Sequence, residues 1–200
     1  MSPITLNYFG LPGRAEAIRV ALAYAGRDFK DNRMTFPEYG ASKWAGKGLP
    51  VLEMDGAEYS QSLALLRHAG KLAGLCPEDP LTALKVDEIV MIVADMIAEI
   101  GKCLGAKDAA VAEAVMTGKL KTLLEVLTTK LEANSSPTFC VGDSLTIADL
   151  QVHAFIMNVQ CGAFTGIPAT LVEDTAPRVM AVETAVMEDA KVKLYYESKA

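Results

Sequence analysis

The 200-residue chain predicts a small mixed α/β unit followed by an all-helical region. Three observations carry that prediction. Within residues 1–75 short β-prone runs alternate with helical periodicity, residues 76–82 (CPEDPLT) hold two prolines, and beyond them nearly every segment repeats its apolar residues at helical spacing. The two regions are therefore placed at 1–75 and 83–200. With 51% of residues apolar and 22% charged, the chain has the composition of a globular protein with a sizeable core.

The elements follow in order. Residues 3–9, PITLNYF, alternate Ile4, Leu6 and Tyr8 against Thr5, Asn7 and Phe9, which reads as a strand. A glycine-proline turn leads into a helix from Arg14 to Ala25, with Ile18, Ala21, Leu22 and Ala25 on one side and Gly26 as its C-cap. Phe29 to Met34 reads as a second strand. Residues 35–48 show no period and contain three glycines and a proline, so they read as an irregular loop. VLEMDGAEY, at 51–59, reads as a hairpin around Asp55-Gly56, and Ser60-Gln61-Ser62 opens the next helix. Further helices are expected at 82–103, 109–133, 146–160 and 177–189, with Pro177 in a first helical turn and a break from Asn134 to Pro137.

Composition also excludes function classes. The formal charge is −6 and the basic residues are scattered, which argues against a nucleic-acid partner. The cysteines at 76, 103, 140 and 161 are too widely spaced for a metal knuckle or a Cys-x-x-Cys pair, so no metal is expected and the thiols read as reduced and mostly packed in a cytoplasmic protein. The first 20 residues make a poor secretory leader, and no apolar run reaches the ~18 residues of a membrane span.

Chemistry-bearing residues gather at the element ends of the first unit. Tyr8 stands where the first strand becomes a loop, with Arg14 soon after. Pro50 follows Gly48-Leu49 and precedes VLEM; it is either a strand-opening proline or the site of a cis bond that would free the Leu49 backbone to pair with an extended peptide. Ser62 is either a helix cap or, with Gln61, a seat for a carboxylate at a helix N-terminus. In the second region Val86, Ile89, Val90, Val93, Ile97 and Ile100 form one helical stripe, and Asp95 falls nearly opposite it, near Glu88 and Met91, where a solvated acid is the default.

The runs YFGLPGRAEAIRVALAYAG, LPVLEMDG and SQSLALLRH resemble the amino-terminal domain of cytosolic glutathione transferases, and VGDSLTIADL resembles that family's capping box, with Thr146 as cap and Asp149 three residues on. The tyrosine, the aromatic after it and Gly-Arg-Ala-Glu are most similar to the sigma class, which includes haematopoietic-type prostaglandin D synthases. The resemblance covers nearly the whole chain. It implies a thioredoxin-like domain joined to a helical-bundle domain, working as a cytoplasmic homodimer with glutathione as co-substrate and no bound cofactor. It implies Tyr8 as the catalytic hydroxyl and Arg14 as its electrostatic support. Leu49, flanked by Gly48 and Pro50, would hold the cysteinyl part, Gln61 and Ser62 the γ-glutamyl end, and Asp95 the amino group of glutathione on the partner subunit.

The chain also departs from the pattern. Its loop after the second strand is differently spaced, leaving Phe36, Lys43 and Trp44 as candidates for the glycyl end, with Lys43 and Trp44 preferred. Gly48 stands where relatives carry glutamine or lysine, and Pro12 replaces a common arginine. The implied function is activation of glutathione as thiolate for conjugation to hydrophobic electrophiles, a detoxification reaction. The electrophile would lie between the Leu11 loop and the long helices, with Met91 either lining that cleft or packing in a core or interface. Two alternatives stand beside it: a glutathione-dependent prostaglandin-type isomerase, and a non-catalytic structural or ligand-carrying protein of the same fold. A thiol–disulfide oxidoreductase is disfavoured because Tyr8 occupies the place of a redox cysteine.

Overall fold

The computed structural model describes residues 3–199. A four-stranded sheet runs in the order β2-β1-β3-β4, formed by β1 (Ile4–Phe9), β2 (Phe29–Met34), β3 (Val51–Met54) and β4 (Ala57–Tyr59). β1 and β2 pair in parallel, which requires a crossover, and α1 (Glu16–Tyr24) supplies it. The other pairs are antiparallel, so the mixed sheet expected from the sequence is present. The β3–β4 turn places Asp55 and Gly56 at φ +54° and +77°, the left-handed geometry that a two-residue hairpin demands.

α1 begins later than the apolar spacing suggested, because residues 12–15 form a turn in which Pro12 C=O accepts from the N–H groups of Ala15 and Glu16. The expected loop at 35–48 contains a short helix, α2 (Phe36–Ala41). Its signal is a capping box: Glu38 N–H donates to Thr35 Oγ1 at 3.3 Å, while Thr35 N–H donates to the Glu38 carboxylate at 2.7 Å. α3 spans Ser62–Ala73. α4 (Pro80–Gly101) starts inside the two-proline stretch 76–82, since Asp79 caps it by accepting from Thr82 N–H at 2.8 Å and Pro80 occupies the first turn.

The segment expected as one helix at 109–133 is two, α5 (Ala109–Thr117) and α6 (Lys119–Glu132). Gly118 divides them: its backbone leaves helical geometry, and a Cβ there would lie 2.6 Å from Ala114 C=O. α7 (Ile147–Gln160) opens with the Thr146–Asp149 capping box and is buried almost throughout. Two helices escaped the sequence reading, α8 (Leu171–Thr175) and α10 (Ala190–Glu197); α9 (Pro177–Glu188) lies between them.

α7 packs on α4 and α9 within the helical region and on α1 and α3 of the first unit. Leu6, Ile18 and Leu66 therefore share one apolar cluster with Val90, Phe155 and Val182. A smaller cluster of Met34, Trp44 and Val51, with Tyr39 and Leu49 against it, lies under the loop before β3. Among the described residues no helix is long and apolar enough to cross a membrane, and no group of metal-ligating side chains converges.

Candidate active site

A cleft of about 380 Å³ opens at the ends of β3, β4 and α3. Its lining includes Arg14, Trp44, Gly48, Leu49, Pro50, Gln61 and Ser62, so seven positions singled out from the sequence meet on one surface. Leu49–Pro50 is a cis peptide. Gln61, at φ +72°, is the N-cap of α3, and neither it nor a neighbouring serine caps the helix with a side chain. No side chain caps the first turn of α3, which opens at the cleft-lining Ser62, an arrangement that suits a carboxylate. Non-glycine backbone in that conformation costs on the order of 1–3 kcal/mol, a strain retained here at the cleft.

Tyr8 lies at the end of β1, 7% exposed. Its hydroxyl oxygen accepts from the Arg14 backbone N–H at 3.0 Å. Burial pushes the phenol above its ordinary pKa, opposed by that N–H and by the nearby charges of Arg14 and Arg19, so the hydroxyl is protonated at neutral pH. Gly13, at φ +52°, runs so close that a Cβ there would sit 2.3 Å from the Tyr8 oxygen. The Arg14 side chain is exposed and lines the cleft.

The glycyl-end candidates separate. Trp44 is 7% exposed and cleft-lining, and its buried indole N–H has no partner among the described residues. Lys43 is not itself in the lining; its exposed ammonium pairs with Glu53 at 2.7 Å and with Glu58, which lines the cleft, at 2.5 Å. Phe36 heads α2 and stacks on Phe9, with ring centroids 4.8 Å apart, instead of entering the cleft. Asp95 is exposed on α4, 3.2 Å from Lys119, and does not reach the cleft of its own chain. Met91 sits on the same outward face.

A family model described as "Glutathione S-transferase, N-terminal domain" matches residues 4–71, and one described as "Glutathione S-transferase, C-terminal domain" matches residues 94–199. The chain belongs to the glutathione S-transferase family. It is 32% identical over 162 residues to glutathione S-transferase 1 of Ascaris suum, covering 76% of this chain and 78% of that one. It is 33% identical over 189 residues to the haematopoietic prostaglandin D synthase of Gallus gallus, covering 90% and 88%. Among solved structures, the monomeric glutathione S-transferase Na-GST-3 of the hookworm Necator americanus superposes with a TM-score of 0.78 at 27% identity, over 98% of this chain and 97% of that one.

Sequence reasoning missed Lys47, Glu58 and Tyr59 in the lining of this transferase's cleft, and Arg19, which shapes the site from beneath. Arg19 is fully buried beneath the Tyr8 loop, its guanidinium carbon 5.8 Å from the Tyr8 ring centroid. It donates to the carbonyls of Phe9 (3.1 Å), Leu11 (3.0 Å) and Pro12 (3.3 Å) and pairs with Glu16 (3.0 Å) and Asp31 (3.1 Å). One rigid fork thus fixes the segment between Tyr8 and Gly13. The available signal was an arginine three residues after a glutamate inside an otherwise apolar helix.

Proposed function

We propose that this glutathione S-transferase holds the sulfur of bound glutathione as a thiolate through the Tyr8 hydroxyl and adds it to a hydrophobic electrophile. The observation that carries this is the Arg14 N–H bond to the Tyr8 oxygen. That bond occupies an acceptor site and leaves the phenolic proton to donate, and no acceptor for it occurs among the described residues. A thiol of pKa near 8.5 is only a few per cent ionised at neutral pH, and lowering it by ~2 units takes about 2.7 kcal/mol of preferential binding to the anion. A neutral hydroxyl aimed at sulfur and the Arg14 guanidinium at the cleft both act in that direction. Leu49 would engage the cysteinyl backbone, Gln61 and Ser62 the γ-glutamyl end, and Trp44 the glycyl end, with Gly48 and Pro50 shaping the wall. Glutathione serves as co-substrate, without a further cofactor.

The direct test is the thiolate absorbance of the saturated complex against pH. The expected midpoint is about two units below that of free glutathione. A midpoint equal to that of free glutathione would withdraw the assigned chemistry.

We place the chain near the sigma class, supported by its 33% identity to the avian prostaglandin D synthase. That relative also favours a second reading, isomerisation of a prostaglandin-type endoperoxide with return of the thiol; product analysis with an endoperoxide substrate separates the two. Four free thiols suit a cytoplasmic detoxification role. A homodimer is supported by the outward face of α4, where Leu81, Leu84 and Met91 are 60%, 64% and 57% exposed in line with Asp95. Across such a dimer Asp95 would meet the partner's glutathione amino group. Asp95→Ala is then expected to raise the glutathione KM about tenfold with kcat nearly unchanged, the loss of one charge-assisted hydrogen bond. An unaltered KM would remove Asp95 from the site.

A further inference from the structure

We propose that Asn158, on the buried helix α7, is a positioning residue for the Tyr8 hydroxyl. The inference rests on the reading of Tyr8 given above. Asn158 is fully buried and all of its side-chain polarity is directed at backbone. Its Oδ1 accepts from Gly13 N–H at 2.8 Å, and its Nδ2 donates to Gly13 C=O at 3.0 Å and to Ala154 C=O at 2.7 Å.

Gly13 C=O and Arg14 N–H belong to the same peptide plane. Asn158 therefore grips one edge of the plane whose other edge donates to the Tyr8 oxygen at 3.0 Å. Rotation of that plane would aim the N–H away and return the oxygen's lone pair to competition for other donors. A carbonyl that accepts a hydrogen bond also polarises its own amide, so the Asn158 bond strengthens the Arg14 donor as well as aiming it.

Gly13 cannot replace this grip with packing of its own. Its φ of +52° and its closeness to the Tyr8 ring forbid a side chain there. Arg19 fixes the preceding carbonyls of Phe9, Leu11 and Pro12, but among the described residues it makes no bond to Gly13. Apart from the Tyr8 oxygen itself, the Gly13–Arg14 plane is thus held, among the described residues, by one side chain of the helical region 145 residues away in sequence.

The test uses Asn158→Asp, which keeps an oxygen for Gly13 N–H but removes the donor to Gly13 C=O, together with Asn158→Ala. In both variants the midpoint of the bound thiol is expected to rise by about 0.7 unit, the equivalent of one neutral hydrogen bond. kcat at pH 6.5 should fall about threefold while the glutathione KM moves less than about twofold, since the contacts at Leu49, Gln61 and Ser62 are untouched. In a Tyr8→Phe background the same substitutions should change neither quantity.

Full additivity with Tyr8→Phe, or an unmoved midpoint in a folded Asn158 variant, would overturn the proposal while leaving the Tyr8 assignment in place. If Tyr8→Phe alone leaves the midpoint unmoved, the Tyr8 assignment falls and takes this inference with it. Should neither Asn158 variant fold, the Tyr8→Phe protein decides: its Asn158 side-chain amide and Arg14 N–H resonances are expected to shift from their wild-type positions, and resonances that stay put would refute the coupling.

Discussion

Phenylalanine at position 8 is expected to lower the rate of aromatic-halide conjugation about 50-fold at pH 6.5, the ratio of thiolate fractions for a sulfur of pKa near 6.5 and one near 8.5. The ring remains and its edge contact with Phe9, at 5.4 Å between centroids, is retained. What disappears is the hydroxyl proton proposed to donate to sulfur and the acceptor for Arg14 N–H. The sign of the pH dependence is diagnostic. Between the two midpoints wild type holds most of its sulfur as thiolate and the variant only a minor part. Above pH 9 both sulfurs are ionised and the two proteins should converge to within about twofold. A deficit of equal size at every pH would mean that the substitution damaged the site's shape and that the hydroxyl had no selective hold on the anion.

Removing the Arg19 guanidinium should have the largest effect on stability. Arg19→Leu would leave Glu16 and Asp31 nearly buried, at 5% and 8% side-chain exposure, and three loop carbonyls without their donor. Stripping one partner from a buried ionic cluster costs about 3–5 kcal/mol, larger than the Coulomb attraction of an exposed pair would suggest, because the survivors are desolvated without compensation. Arg33 still reaches Asp31 at 2.7 Å and moderates the loss on that side. In a domain of this size the shift in Tm should be about 10 °C. Arg19→Lys should recover only part of it, since an ammonium cannot span two carboxylates and three carbonyls at once. Urea denaturation of the three proteins checks the order, and a loss below about 1 kcal/mol for the leucine variant would show the cluster to be dispensable.

The sequence made the sheet legible because each strand carries its own local signal. Ile4, Leu6 and Tyr8 alternate, and Asp55-Gly56 can hardly be anything but a hairpin turn. The α4 stripe was equally readable, and Val86, Ile89, Val90, Val93, Ile97 and Ile100 are all buried while Asp95 faces outward. The cleft was legible through its turn and helix-end residues. Signals of one or two residues were lost where a louder composition masked them: the glycines of the 35–48 loop hid the Thr35–Glu38 box, and Gly118 disappeared inside a long apolar period. Groups acting through distant partners were not legible at all. The pairing of Lys43 with Glu53 and Glu58 appears only once the hairpin is folded, and nothing local to Asn158 announces the loop that it holds.

The apolar cluster that α7 shares with α1 and α3 bears on how the molecule comes apart. Leu75 C=O accepts from Ile147 N–H at 3.1 Å, so even the segment between the two regions is stitched to α7. Only the small Met34, Trp44 and Val51 cluster is private to one portion: severed near Glu78, each would bare the surface that Ile18, Leu66 and Phe155 now conceal from water. Heating should therefore melt sheet and bundle in a single cooperative step, and a lesion deep in the bundle will be felt as loss of the tripeptide-binding face.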